Sequence, residues 1–246
     1  MKHQNIYINN GGIKMRKKIH ILDGYEEIKD KQGIAVIIDV FRASNTILSI
    51  FEAGAQEVIT KTAKTAAEVD KLREEYPKHT FFGEHMGKKF ENTDYDNSPS
   101  TAYRLENKIN EAVVISTMGT SAIEAANNAY EIIIASFGNI DAVVEYLKPK
   151  ETDIYLVACG DIGKTAIEDY VCAQSIANML LGLNVDEDYG ISIVAKNSSG
   201  VGRLVGNGMY GDLEQCLTTN YSELVPCAEI DCQGFKGELM VNRGNI

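Results

Sequence analysis

No stretch of the chain approaches the roughly 18 consecutive apolar residues that a membrane-spanning helix needs. No CxxC pair occurs among the five cysteines, Cys159, Cys172, Cys216, Cys227 and Cys232. The first absence excludes a transmembrane helix. The second, with an odd cysteine count, argues against a disulfide framework or a zinc site and fits reduced thiols. Positive charge is also scarce, since 24 Lys and Arg against 35 Asp and Glu leave a net charge of −11. Such a surface disfavours nucleic-acid backbones and anionic membranes, so neither is expected as a partner. There is no His/Cys cluster, no internal repeat, no low-complexity tract and no linker. Residues 1–14 are polar and carry no apolar core for export. They read as a loose extension ahead of a single domain over 15–246, and the cytoplasm is the expected compartment. Homo-oligomer formation is left open.

What the sequence does contain is an alternation of strands and helices. Short apolar runs at 19–22, 34–40, 57–60, 80–82, 111–115, 131–135 and 154–158 read as strands. Helical spacing follows at 46–53, 65–76, 121–130, 141–147 and 165–181. This order predicts a three-layer α/β/α fold around a largely parallel or mixed sheet. The stretch 83–99 has no periodicity, and its Glu84, His85, Lys88, Lys89, Glu91, Asp94 and Asp96 read as a site wall. Residues 190–195 read as a strand on propensity. The glycines at 200, 202, 206, 208 and 211 make 198–211 read as a loop.

The stretch 34–46 organises the rest. Five apolar residues, Ile34 to Ile38, describe a strand buried on both faces, and the run stops at Asp39 where the strand leaves the core. Arg42 follows, then Ser44, Asn45 and Thr46, which are helix-capping residue types. Strand, acid, cation, cap and helix suit the gripping of an anion beside a metal; they equally suit a structural Asp–Arg pair. Other strand ends repeat the chemistry of small polar residues opening a helix. In parallel sheets these ends share one edge, so Thr117, Gly119 and Thr120 either cap a helix or donate to phosphate or sulfonate oxygens. Glu168 and Asp169 suit the first turn of a helix, and with Asp39 they also offer the hard oxygens that Mg²⁺ prefers. The segment 158–165 fits a relaxed phosphate loop and suggests a nucleotide hydrolase. Its metal-binding strand would have to precede it by more than a hundred residues, which is the wrong order. A non-catalytic phosphate or sulfonate binder shares the anion-binding features.

Six blocks in order, Ile-Asp-Val-Phe-Arg-Ala-Ser-Asn-Thr (38–46), Gly-Glu-His-Met-Gly-Lys-Lys (83–89), Asp-Asn-Ser-Pro (96–99), Ser-Thr-Met-Gly-Thr (116–120), Ala-Ser-Phe-Gly-Asn (135–139) and Ile-Glu-Asp-Tyr-Val-Cys-Ala (167–173), resemble the 2-phosphosulfolactate phosphatase family. The resemblance spans about residues 19–230. It implies a Mg²⁺-dependent phosphatase of the kind used in coenzyme M biosynthesis, found also in bacteria that make no coenzyme M. Its substrate would be a small sulfonated phosphate monoester. On this resemblance Asp39, Arg42, Glu84 and Thr117 are expected in catalysis. Asn97, Gly119 and Thr120, which match its motifs, are expected to bind substrate together with Ser44, Lys88 and Asn139, and Asp39, Glu168 and Asp169 to hold Mg²⁺. Asp39 is either metal ligand or nucleophile. The resemblance also implies helix at 190–204, against propensity. The chain departs from the family pattern at Met118, where Asn is usual, at Asp96, where Gly is common, and in a shorter 159–166 loop.

Overall fold

The computed structural model describes residues 17–228 and the backbone of short strands at 6–7 and 238–240. Apart from residues 6–7, the expected extension over 1–14 lies outside the described residues. The chain runs through β1 (Ile6–Tyr7), β2 (Lys18–Asp23), β3 (Ile34–Ile38), α1 (Ala43–Glu52), β4 (Glu57–Lys61), α2 (Ala66–Glu75) and β5 (Thr80–His85). It continues through β6 (Lys88–Lys89), α3 (Pro99–Tyr103), β7 (Glu111–Ile115), α4 (Gly119–Ala125), β8 (Glu131–Ala135), α5 (Ile140–Leu147) and β9 (Ile154–Ala158). Four helices follow, α6 (Ile167–Leu180), α7 (Glu187–Asn197), α8 (Ser199–Gly206) and α9 (Tyr210–Leu217), then β10 (Cys227–Ala228) and β11 (Glu238–Met240).

The strands form two sheets. One has the order β1-β2-β9-β3-β8-β10, with its four inner strands parallel and its two edges antiparallel. The other has the order β11-β4-β7-β5-β6, again parallel inside and antiparallel at the edges. Strand β3 pairs with β8 and β9 and is buried throughout, as its unbroken apolar run requires. Its residues alternate between two cores. Ile34, Val36 and Ile38 pack toward α5 and α6; Ala35 and Ile37 pack toward α1 and α4. The same α1 and α4 also cover one face of the second sheet, through Val58, Phe82, Ala112 and Val114. Helix α2 covers the other face with Val69. The expected three-layer α/β/α architecture is present, with a second sheet sharing its inner helix layer.

Three local expectations are corrected. Residues 190–195 lie inside α7, so the strand reading fails and the helix implied by the family resemblance holds. Most of 198–211 is helical as well. Ser198 caps α8 by accepting hydrogen bonds from the N–H groups of Gly200 and Val201, and α9 begins at Tyr210. Helix α1 starts at Ala43, so Ser44, Asn45 and Thr46 lie within it and none of them caps it. Two of them serve neighbouring segments instead: the Ser44 hydroxyl accepts from the Asp39 N–H, and Asn45 donates to the Val40 carbonyl and accepts from the Ser136 hydroxyl. The 83–99 stretch is more ordered than its composition suggests, with β5 running to His85 and hairpinning into β6.

Candidate active site

The C-terminal ends of β3 and β9 in one sheet meet those of β5 and β7 in the other. Between them lies a pocket with about 100 Å³ of internal space. Asp39 enters it from the end of β3, Glu84 from β5, Thr117 from the turn after β7, and Glu168 and Asp169 from the first turn of α6. Arg42, Asn97, Asp161, Arg203 and Asn207 complete its polar lining, and Phe41, Met86, Met118, Leu204 and Met209 are among its apolar walls.

Each acid is held by fixed donors. Asp169 accepts from the backbone N–H of Val40 at 2.8 Å on Oδ1 and of Gly160 at 3.0 Å on Oδ2. Glu168 accepts from the Ser198 hydroxyl at 2.6 Å. Glu84 accepts from the N–H of Thr117 at 2.7 Å and of Gly87 at 2.6 Å, and from the Thr117 hydroxyl at 3.3 Å. Asp39, only 7% exposed, is held more loosely: the Ala43 N–H reaches its Oδ1 at 3.4 Å, and the Gly119 N–H also faces it. Two glycines permit this crowding. A Cβ at Gly119 would lie 2.8 Å from Asp39 Oδ2, and one at Gly200 would lie 2.6 Å from Glu168 Oε1. Neither position admits a side chain without displacing an acid.

Among the described residues none of these four carboxylates makes an ion pair with a cation. Burial and then the neighbouring Glu84 push the Asp39 carboxyl up to about 7. Burial, followed by repulsion from Asp39 and Glu168, pushes Asp169 well above the carboxylate range. The backbone donors oppose both shifts without cancelling them.

Arg42 does not pair with Asp39. Its Nη1 donates to Asp96 Oδ2 and to Asp212 Oδ2, both at 2.8 Å, while Nη2 and Nε make no hydrogen bond among the described residues. Burial disfavours its charge, but the two carboxylates outweigh that and raise its pKa. Asp212 is itself anchored by the Ser98 and Ser100 hydroxyls, each at 2.7 Å. Part of a rigidly held guanidinium fork therefore remains free in a residue that lines the pocket. Asn97 is nearly fully buried there too, and its Oδ1 has no partner.

Of the residues singled out in the sequence, Asp39, Arg42, Glu84, Asn97, Thr117, Glu168 and Asp169 converge on this one pocket. Gly119, Thr120, Ser44 and Asn139 stand behind it. The Ser44 hydroxyl accepts from the Asp39 N–H, and the Thr120 hydroxyl donates to the Ser116 carbonyl. Asn139 holds the 134–136 turn and the Leu224 carbonyl. Lys88 lies on exposed β6, outside the pocket. The N–H groups of Thr117, Gly119 and Thr120, expected to face an anion, are already committed to Glu84, Asp39 and Ser116. In the 158–165 segment most of the backbone donors that a phosphate loop would offer are already used. The N–H groups of Cys159, Gly160, Asp161 and Lys164 bond to Ile38, Asp169, Lys164 and Asp161 respectively. The sequence reading missed Arg203, Asp161 and Asp212. Met209, Leu213, Cys216 and Leu217 recur at helical spacing around Asp212, a signal masked by the neighbouring glycines.

A family model described as 2-phosphosulpholactate phosphatase matches residues 19–230 of the chain. A Thermotoga petrophila protein is 38% identical over 205 residues, covering 78% of this chain and 87% of the relative. A Thermotoga maritima protein is 37% identical over 206 residues with the same coverage. One from Clostridium acetobutylicum is 28% identical over 222 residues, 83% of this chain and 93% of its own. All three are named probable 2-phosphosulfolactate phosphatase.

The crowded acids set a pH dependence for the metal-free protein. A carboxyl whose folded pKa is raised binds its proton more tightly in the folded than in the unfolded chain. Stability is therefore lost as pH rises from the ordinary 3.8 toward about 7 for Asp39. Denaturant titrations in chelator should give a lower unfolding free energy at pH 8 than at pH 5.5. Asp39→Asn should make that slope shallower; an Asp39→Asn protein with the wild-type slope would contradict the assignment.

Proposed function

The chain belongs to the 2-phosphosulfolactate phosphatase family, and from that premise we propose that it hydrolyses 2-phosphosulfolactate to sulfolactate and phosphate with Mg²⁺ bound at Asp39, Glu168 and Asp169. The observation that carries the reading is the joining of four carboxylates, without a paired cation among the described residues, to an arginine whose fork is half free. Phosphoesters are anions, and so acidic a pocket admits one only with a cation present. Among the described residues no three His, Cys, Asp or Glu side chains close into a metal cage of their own. Mg²⁺ suits so open a set because it takes hard carboxylate oxygens and fills the rest of its shell with waters and substrate oxygens. When bound, it would neutralise charge on the phosphoryl group.

The chain's own residues account for the rest. Asp96 and Asp212 fix Arg42 before substrate arrives, so its Nη2 and Nε can take phosphoryl oxygens without first being ordered. Asp96, where the family commonly has Gly, thereby acquires a role in holding this arginine. Glu84 ties the Gly87 turn to Thr117 and sets the pocket wall. Asn97 offers an uncommitted amide oxygen. Phe41, Met86, Met118 and Leu204 keep bulk water from the reacting group.

Phosphate release from a panel of small phosphoesters tests the proposal. The expected result is turnover of 2-phosphosulfolactate that stops in excess chelator and returns with Mg²⁺; full activity in chelator would remove the metal from the account. Arg42→Lys keeps the charge but not the fork. The expected fall in kcat/KM is at least about a hundredfold, or about 3 kcal/mol of transition-state stabilisation. Thermal unfolding of the same preparation gives the control, because a lowered midpoint with near-normal kcat/KM would make Arg42 a structural residue only.

A further inference from the structure

We propose that Arg203 recognises a second anionic group of the substrate, a sulfonate at the end remote from the phosphoryl group, with Asp161 holding the guanidinium until substrate arrives. This inference rests on the phosphatase reading above. The two arginines of the pocket differ in kind. Arg42 is 6% exposed and tied to two carboxylates that are themselves anchored. The Arg203 side chain is 39% exposed, and its one ion pair, from Nη1 to Asp161 Oδ2 at 2.6 Å, joins it to a carboxylate that is 36% exposed. Exposed pairs of this type contribute little, so an incoming anion can replace Asp161 readily.

The surroundings leave few alternatives for a second anion. The rest of the polar lining includes Asp39, Glu84, Glu168 and Asp169, which would repel it. Among the described residues Arg42 and Arg203 are the only cations that line the pocket, since Lys88 and Lys164 lie outside it. Asn207 follows Arg203 by one helical turn and lines the same pocket, and its side chain makes no hydrogen bond among the described residues. A guanidinium and a free amide one turn apart match the several acceptor oxygens of a sulfonate. Asp161 is itself fixed in a tight turn, with its N–H donating to the Lys164 carbonyl at 2.8 Å and its carbonyl accepting from the Lys164 N–H at 3.1 Å. The partner that changes place on binding is accordingly Arg203.

Calorimetry in Mg²⁺ with sulfolactate and with lactate, which lacks the sulfonate, isolates the contact. The expected result is that wild-type protein binds sulfolactate at least about tenfold more tightly than lactate. Arg203→Met should erase that ratio, Arg203→Lys should keep part of it, and Asp161→Asn should not diminish sulfolactate affinity. A ratio unchanged in Arg203→Met, or absent in the wild type, overturns the proposal, and so does equal weakening of both ligands. Phosphate release separates this from the parent reading. Arg203-dependent sulfolactate binding without turnover of 2-phosphosulfolactate would sink the phosphatase and leave the contact standing. Turnover with a sulfonate preference indifferent to Arg203 would do the reverse.

Discussion

Mutual repulsion among buried carboxylates is the constraint around which the pocket is built. Asp39, Glu84, Glu168 and Asp169 come from both sheets and from α6, and each is held by neutral donors rather than by a cation. A neutral donor fixes a carboxylate without cancelling its charge. When ionised, the cluster thus keeps a strong field for positive charge, at a cost to the folded chain that protonation or a cation would relieve. Ordinary salt bridges there would stabilise the folded chain and cancel that field.

The helices after β9 finish what the strand ends begin. Helix α9 supplies Asp212, which immobilises Arg42, and α8 supplies Arg203 and the Gly200 clearance for Glu168. Ser198 joins the two purposes, since it caps α8 and its hydroxyl donates to Glu168. Capping a helix and positioning an acid are here one arrangement of one side chain. The shorter 159–166 loop, a departure from the family pattern, carries Asp161 and so sets the resting position of Arg203.

Most buried strands were legible in the sequence as short runs of apolar, largely β-branched residues, and Asp39 marked the end of β3 because a charge is costly inside the core. Glu168 and Asp169 were legible from their position in the first turn of a helix. Less could be read where a residue's partner is remote in sequence. Arg42 pairs with Asp212, 170 residues away, and no local pattern reveals such a pair. The glycines of α8 disguised a helix, although only Gly200 answers to clearance against Glu168; Gly202 and Gly206 face open space. The family resemblance reached the correct helix at 190–204 where propensity did not; Lys88, read as part of a site wall, is turned to solvent by the hairpin. Ser44, Thr120 and Asn139 were expected to touch substrate; the fold uses them to brace the site.

The central claim is that the four carboxylates form one electrostatic unit completed by a divalent cation. Thermal unfolding of metal-stripped protein at pH 8 over increasing Mg²⁺ tests it most directly. The account predicts a midpoint that climbs with Mg²⁺, equivalent to about 3 kcal/mol at a hundred times the dissociation constant, and a much weaker climb in Asp39→Asn. A midpoint that stays flat in the wild type, or climbs equally in Asp39→Asn, would contradict it.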